Sequence, residues 1–288
     1  MKKTKFTILG GDLRNVELAY LLKMDGNEVE VYGFDKLDLY LNQQEKLHES
    51  IFTSDVIVGP LPISEDSKML NAPFFTGNIQ INDILYLLSR KQVFTAGKIS
   101  NEFQNRARDM GLNSIDYFDR EEMQALNAVP TAEGAIQVAM ENMDITLHSS
   151  NALILGYGRI GKTLSRMLYG LGANVYVEAR DYGDLAWIEN FKYKPVHLKD
   201  LEHYLSNIDV IFNTIPHVIL DEYLLSRVNK DIVIINIASS PGGIDLEVAK
   251  ELGLKVISAK GLPGKVAPVT AARIIKDTVY NILDELEK

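Results

Sequence analysis

The sequence predicts an α/β fold with two Rossmann-like domains that each contain a parallel sheet, and three observations support this over its 288 residues. Short β-branched runs alternate with segments of helical period, which is typical of parallel strands joined by crossover helices. Both halves open with a strand, a glycine-rich turn and a helix. At about 100–200 residues per domain, the length also favours two domains over one.

The first domain is predicted to comprise residues 1–128 and to take up 268–288 at the end of the chain. Its apolar, β-branched runs predict strands at Phe6–Leu9, Glu28–Tyr32, Asp55–Val58, Phe74–Thr76, Gln92–Ala96 and Ser114–Tyr117. Between these strands lie segments whose apolar residues recur at helical spacing. The last apolar helical pattern, from about Val269 to Leu286, has no strand after it. We therefore expect this C-terminal helix to return to the N-terminal domain.

A connector helix is predicted over residues 129–148, ahead of a second domain over 149–267. Pro130 indicates a break, Thr131 is a suitable N-cap and Glu133 favours a helix N-terminus. The second domain's strands are predicted at Ala152–Leu155, Asn174–Val177, Val210–Asn213, Ile232–Ile237 and Lys255–Ile257.

Composition excludes several classes of function. The chain has 30 Lys and Arg against 39 Asp and Glu, so its net charge of −9 argues against nucleic acid or an anionic membrane as partner. It has no cysteine, which excludes disulfides and thiol chemistry and fits a reducing cytoplasm. No apolar run approaches the roughly 20 residues that span a bilayer. The five histidines show no metal-ligand spacing, so no metal is expected.

A glycine-rich motif stands between the predicted strand 152–155 and a helix. It reads Gly156, Tyr157, Gly158, Arg159, Ile160, Gly161, which is the G-x-G-x-x-G pattern. The first glycine permits a tight turn, the second lets the backbone approach a pyrophosphate, and the third lets the helix pack on the strand. This order of elements within about thirty residues predicts a dinucleotide site.

The end of the following strand bears on which dinucleotide is bound. A carboxylate normally stands here to accept the ribose 2′-hydroxyl of NAD, but the corresponding position is Ala179, followed by Arg180. Arg180 can pair with a 2′-phosphate, which favours NADP over NAD. The alternative is that Arg180 is a solvated surface residue and Glu178 binds the ribose of NAD.

Ligand contacts in open α/β sheets lie where strands end. Thr214, Ile215 and Pro216 follow one predicted strand, and Ala238 follows the next, so these residues are expected to line the nicotinamide side. The opening Gly10-Gly11-Asp12 imitates the glycine motif without its third glycine, and a second dinucleotide there is not expected.

The layout resembles the two-domain dehydrogenases of 2-hydroxy acids, but the chemistry departs from that family. Its substrate-binding arginine would fall in Asn236-Ile-Ala-Ser239, where this chain has Ser239. Its late catalytic histidine is also missing, because the last histidine here is His217. Alcohol oxidation needs such a base near neutral pH.

Several motifs together resemble another family. These are Gly10-Gly-Asp-x-Arg14, Pro130-Thr-Ala-Glu-Gly-Ala135, the glycine turn, Ala179-Arg180, Asn236-Ile-Ala-Ser-Ser-Pro-Gly-Gly243 and Gly261-Leu-Pro-Gly-Lys265-Val-Ala-Pro268-x-Thr270. The combination is similar to the A subunits of dipicolinate synthase over essentially the whole chain. The resemblance implies oxidation of dihydrodipicolinate to dipicolinate with NADP+, beside a flavoprotein-like B subunit. It also implies an oligomer in the mother-cell cytoplasm of a sporulating bacterium.

A small cyclic dicarboxylate requires cations in this acidic chain. Arg14, Lys98 and Lys265 are predicted to lie in glycine-containing loops, and Lys265 is the first choice because glycines and prolines shape its segment. The alternative for Lys265 is an ordinary surface lysine before the last helix. Glu133 is a candidate proton acceptor, although a capping role is an equal alternative. Thr131 and Ser239 are candidate hydrogen-bond donors to a carboxylate, or else turn formers.

Three functions therefore stay open from sequence. The leading one is the NADP-dependent oxidoreductase subunit that the resemblance implies. The second is a 2-hydroxyacid dehydrogenase with an atypical site. The third is a regulatory subunit that binds a nucleotide but does not turn over.

Overall fold

A computed structural model describes residues 3–239 and 241–287. Contacts within the chain divide it into two compact units. The first comprises Met1–Asn127 together with Ala267–Lys288, and the second comprises Ala128–Val266. Each unit contains one six-stranded parallel sheet with helices packed on it.

Among its described residues, the first unit has six strands and five complete α-helices. The strands are β1 (Lys5–Leu9), β2 (Glu28–Tyr32), β3 (Asn42–Gln43), β4 (Val56–Val58), β5 (Val93–Ala96) and β6 (Asn113–Asp116). The helices are α1 (Leu13–Met24), α2 (Leu47–Phe52), α3 (Ile81–Leu87), α4 (Asn101–Asp109) and α11 (Pro268–Leu286), and α5 (Glu121–Asn142) begins in this unit. The sheet order is β3-β2-β1-β4-β5-β6.

Helix α11 is part of the first unit's core. Its buried residues Ala272, Ile275 and Val279 pack in one cluster with Phe6 of β1 and Leu18 of α1. Their spacing of three and four residues places them on one helical face. The prediction that the C-terminal helix returns to the N-terminal domain is confirmed.

The second unit repeats this architecture. Its strands are β7 (Asn151–Leu155), β8 (Asn174–Ala179), β9 (Lys194–His197), β10 (Val210–Asn213), β11 (Val233–Asn236) and β12 (Lys255–Ser258). Its helices are α6 (Arg159–Gly170), α7 (Tyr182–Asn190), α8 (Glu222–Leu225), α9 (Leu246–Glu251) and α10 (Leu262–Val266), together with most of α5. The sheet order is β12-β11-β10-β7-β8-β9.

The sheet of the second unit is buried on both faces. Ala152 and Val177 belong to the core on one face, whereas Leu153 and Leu155 belong to the core on the other. Because successive strand residues point to opposite faces, both sets must be apolar, as in parallel sheets covered by helices on both sides. The fold class, two Rossmann-like domains with parallel sheets, is confirmed.

One predicted strand is not formed, and two strands of the structure are not predicted. Phe74–Thr76 forms turns and irregular backbone instead of a strand; the backbone N–H and hydroxyl of Thr76 donate to the carboxylate of Asp35. The strands β3 and β9 are not predicted from sequence, because Asn42–Gln43 and Lys194–His197 lack a clear apolar run.

The start of the connector helix is also predicted wrongly. Helix α5 begins at Glu121 and runs through Pro130 without ending there. Proline removes one backbone donor, at a typical cost of about 3 kcal/mol in a helix interior. The burial of Ala128, Ala132 and Ala135 on one face shows that packing offsets this cost. Thr131 and Glu133 therefore lie inside the helix and do not cap it.

Within residues 3–239 and 241–287, no helix is both long and apolar enough to cross a bilayer. The same residues contain no group of three or more His, Asp or Glu side chains arranged to hold a metal ion.

Candidate functional site

The glycine-rich turn connects β7 to α6 in the second unit. Gly156 follows directly after β7 and has a φ of +93°, a conformation that favours glycine. Gly158 is the N-cap of α6, with φ −78° and ψ −165°, and Arg159 is the first helical residue. The turn therefore presents the backbone amides of a twelve-residue helix at the carboxyl edge of the sheet, the arrangement that binds phosphate groups.

The three glycines of the motif meet different surroundings. A Cβ built on Gly161 would lie 2.1 Å from the carbonyl oxygen of Gly156, and one on Gly156 would lie 2.8 Å from the side chains of Thr214 and Ile215. A Cβ on Gly158 would meet nothing within 4 Å. Gly156 and Gly161 are thus required by packing, whereas Gly158 leaves open space beside the helix N-terminus.

The remaining residues of the turn have distinct positions. Tyr157 is buried in the apolar core on the same face of the sheet as Ala152 and Val177. The Nζ of Lys162 lies 5.1 Å from the centre of the Tyr157 ring. Arg159 is exposed and Ile160 is partly buried. Burial raises the pKa of the Tyr157 hydroxyl, which stays neutral at physiological pH.

Strand β8 ends beside the turn. Ala179, its last residue, is buried, and Arg180 directly after it is exposed. Glu178 is fully buried. The Gly156 amide donates to both the backbone oxygen and the carboxylate Oε2 of Glu178, at 3.2 Å each. The carboxyl group of Glu178 therefore faces the turn backbone from within the protein, and the exposed group at this strand end is Arg180.

The ends of β10 and β11 are held together by a buried amide pair. Asn213 Nδ2 donates to Asn236 Oδ1 and to the carbonyl oxygen of Ile215, both at 3.0 Å. The amide of Ile215 donates back to Asn213 Oδ1 at 3.2 Å. These bonds shape the segment that contains Thr214, Ile215 and Pro216.

The organising role of Asn213 and Asn236 is not predicted from the sequence. The available signal is an asparagine at the end of each of two neighbouring apolar strands. Beyond β11, Ala238 is buried and Ser239 is exposed. These segments lie at the same carboxyl edge of the sheet as the glycine turn, because β7 neighbours β10 and β10 neighbours β11 in parallel.

The helices that contain Lys265 and Glu133 are in direct contact. A Cβ built on Gly134 of α5 would lie 2.9 Å from Cβ of Leu262 and 3.2 Å from Cγ2 of Val266 on α10. Both Lys265 and Glu133 are exposed. The prediction that Lys265 lies in a loop is wrong, because its glycines and prolines shape a short helix instead.

Arg14 differs from its prediction as a loop cation. It lies in α1, is only 6% exposed, and its Nε and Nη2 bind the carboxylate of Asp12 at 2.8–3.1 Å. Its Nη2 also donates to the carbonyl oxygen of Leu61. With its guanidinium engaged in this way, Arg14 fits a structural role better than that of a substrate ligand.

Lys98 is an exposed residue in the loop after β5, as predicted. Its φ is +56°, and its amide and that of Ile99 donate to the buried carboxylate of Asp116, at 3.1 and 2.6 Å. Its Nζ lies 5.4 Å from the centre of the Phe118 ring. Burial raises the pKa of Asp116, while these amides and that of Phe118 act in the opposite direction. The hydrogen bonds to Asp116 thus hold Lys98 in a left-handed conformation that residues other than glycine rarely adopt.

Two family models match this chain, one mainly over the first unit and one mainly over the second. Residues 5–118 match the family model for the N-terminal domain of the A subunit of dipicolinate synthase. Residues 122–242 match "D-isomer specific 2-hydroxyacid dehydrogenase, NAD binding domain". The second match covers the glycine turn and the end of β8, and it supports a nicotinamide dinucleotide as the cofactor class.

One curated relative is similar over nearly the full length. The dipicolinate synthase A subunit of Bacillus subtilis (strain 168) is 33% identical over 288 residues, covering 98% of this chain and 97% of the relative. The chain belongs to the family of dipicolinate synthase A subunits. The crystal structure of the Bacillus halodurans relative has a TM-score of 0.88 at 31% identity and covers 97% of both chains. That of the Bacillus subtilis relative gives the same score and identity, covering 100% of this chain and 98% of that one.

The residues of the turn fit a dinucleotide. Open space beside Gly158 and the helix amides after it suit a diphosphate, and the exposed Arg180 stands at the strand end where the adenosine ribose is usually held. The segments after β10 and β11 then face the nicotinamide half in proteins of this fold.

Proposed function

We propose that this chain is the NADP-dependent oxidoreductase subunit of a dipicolinate synthase, which oxidises dihydrodipicolinate to dipicolinate. It works beside a flavoprotein-like B subunit, in the mother-cell cytoplasm of a sporulating bacterium. The observation that carries the proposal is the full-length similarity to a dipicolinate synthase A subunit, in a chain whose glycine turn has the geometry of a dinucleotide site.

The preference for NADP rests on the end of β8. A carboxylate that binds the 2′-hydroxyl of NAD must reach the ribose, but Ala179 has none and the carboxyl group of Glu178 is buried against Gly156. Arg180 is exposed there and is the right group for bidentate pairing with a 2′-phosphate.

The reaction transfers a hydride and a proton away from the dihydropyridine ring. The chemistry supplied by bound NADP+ is acceptance of the hydride. The proton leaves the ring carbon or nitrogen to a base or to solvent, and formation of an aromatic ring provides driving force. A strong alcohol-activating base is therefore unnecessary, and positioning of the substrate is the main contribution of the protein.

The two carboxylates of the substrate require cations and hydrogen-bond donors. Within the second unit we assign Lys265 as a cation and Thr131 and Ser239 as donors. Lys98, in the first unit, is a separate candidate cation. Glu133, which is exposed and lies inside α5 rather than at its N-terminus, is the candidate proton acceptor.

A direct assay tests the proposal. The full chain, alone and with its partner subunit, is mixed with NADP+ and freshly generated dihydrodipicolinate, and both NADPH and dipicolinate are followed by absorbance. We expect the two products in equal amounts, and a loss of turnover in Lys265→Ala. Dipicolinate formation without NADPH, in a complex that still binds NADP+, would indicate a regulatory subunit instead.

A second candidate, a 2-hydroxyacid dehydrogenase, is favoured by the family match over residues 122–242. Against it stand Ser239 in place of the family's arginine and the absence of any histidine after His217. Turnover of lactate-type or glycerate-type acids, with none of dihydrodipicolinate, would favour this candidate over the first.

A further inference from the structure

Glu178 is a buried carboxyl group in an apolar part of the second unit. In the parallel sheet it pairs with Leu155 of β7 on one side and with Val196 of β9 on the other. Paired residues of neighbouring strands lie on the same face. Leu155 and Val196 are fully buried members of the apolar core on that face, and Glu178 itself has no solvent exposure.

The hydrogen bonds of Glu178 connect it to the glycine turn. Its Oε2 accepts the Gly156 amide, while its Oε1 is buried and has no hydrogen-bond partner within the described part of the chain. Burial raises the pKa of Glu178 and outweighs two effects that lower it, the hydrogen bond from the Gly156 amide and then the charge of Arg180. On the neighbouring strand β9, His197 stacks on Tyr182 with ring centres 5.4 Å apart.

We propose that Glu178 is a positioning residue. Its neutral carboxyl group holds the glycine turn in place, and its ionised form opposes dinucleotide binding. This inference rests on the proposed dinucleotide site and deepens it. The carboxyl group holds Gly156 from the core side, two residues from the helix N-terminus at which the diphosphate is to bind. A buried carboxylate at this position would repel that anion without solvent to screen it.

The sign of the pH effect follows from linkage. Burial raises the pKa of Glu178 in the free protein, and a bound anion raises it further. Binding then takes up a proton, so affinity is highest while Glu178 is neutral and falls as the pH rises between the two pKa values. Ionisation of the 2′-phosphate has the opposite effect, because Arg180 binds the dianion more strongly.

The test compares Glu178→Gln with wild type. The glutamine keeps an oxygen for the Gly156 amide but has no charge. The dissociation constant of NADPH is measured from pH 6 to pH 9 for the full-length wild type, Glu178→Gln and the exposed control Glu189→Gln on α7. The ratio of the wild-type dissociation constant to that of Glu178→Gln cancels the titration of the 2′-phosphate.

We expect that ratio to rise by about tenfold from the lowest to the highest pH, and the ratio for Glu189→Gln to stay near one. A ratio for Glu178→Gln that is independent of pH would overturn the proposal. If Glu178→Gln does not fold, calorimetry of wild type with NADPH at a series of pH values from 5 to 9, each in two buffers of different ionisation enthalpy, must show net proton uptake in part of that range. Proton release or no exchange throughout that range would overturn it.

The two proposals fail in different ways. If wild type binds neither NADPH nor NADH at any pH, the proposed dinucleotide site is wrong, and this inference falls with it. If wild type binds NADPH but the pH dependence is the same in Glu178→Gln, the site stands and only the role of Glu178 is wrong.

Discussion

The three glycines of the turn show how one residue type serves two purposes. Gly161 has no room for a side chain, because its Cβ would lie 2.1 Å from a backbone oxygen that cannot easily move. Gly158 has open space and a backbone conformation that alanine adopts without strain. Of these three glycines, Gly158 alone is not explained by packing, and its place at the N-terminus of α6 is consistent with a ligand there.

A matched pair of alanine variants separates these purposes. Gly158→Ala is expected to change the free energy of unfolding by less than about 0.5 kcal/mol while weakening NADPH binding at least about tenfold. Gly161→Ala is expected to lose about 1–3 kcal/mol of stability from overpacking. Denaturant unfolding and NADPH titration of both variants measure this, and unchanged NADPH affinity in Gly158→Ala would contradict our interpretation of the turn.

Arg180 determines the choice of cofactor in our account. A charge-assisted pair contributes about 1.5–3 kcal/mol, so Arg180→Ala should weaken NADPH binding by about 10- to 150-fold and leave NADH binding within about twofold. Arg166→Ala, a change at an exposed arginine on α6, is the control. Equal affinities of the wild type for NADPH and NADH would remove the basis for this assignment.

At the residue scale, the glycine motif is predicted from the sequence, but the surroundings of Glu178 and Arg14 are not. The glycine spacing and Arg180 are local patterns and can be recognised directly. That Glu178 is buried against Gly156 depends on the register of β7, β8 and β9, which joins residues far apart in the chain. The burial of Arg14 depends likewise on Leu61, forty-seven positions later.

At the element scale, Pro130 is the reason that the start of α5 is predicted wrongly from the sequence. Pro130 is normally a helix breaker, and Thr131 and Glu133 after it imitate the start of a helix. Tertiary packing outweighs these local preferences here, since Ala132, Ala135 and Ala139 of α5 are all fully buried in the second unit's core. Propensity alone cannot show this, because it contains no information on what the helix packs against.

Helix α11 is predicted correctly because its pattern is long and strongly periodic. Ile275 is fully buried in the first unit, so Ile275→Ala should cost about 2–5 kcal/mol of stability. Leu286→Ala, at a half-exposed position of the same helix, should cost less than about 1 kcal/mol. Chemical denaturation provides the comparison, and similar losses in both variants would contradict the packing of α11 described above.

At the scale of the whole molecule, both units have the same strand order, with the first strand at the centre of the sheet and the order reversing beside it. This reversal creates a crevice at the carboxyl edge, where ligands bind in such sheets. The alternating pattern predicts two parallel sheets, but the short edge strands β3 and β9 lack apolar runs and are found only in the structure. Of the two units, the second has a complete glycine motif at the carboxyl edge of its sheet, whereas Gly10-Gly11-Asp12 in the first lacks the third glycine.

The most direct test of the central claim is a crystal structure of the full chain with NADP+. We expect the diphosphate to bind the first amides of α6 beside Gly158, with the 2′-phosphate on Arg180 and the nicotinamide near the segments after β10 and β11. A bound cofactor located elsewhere, or a turn that stays closed to it at saturating NADP+, would contradict the account.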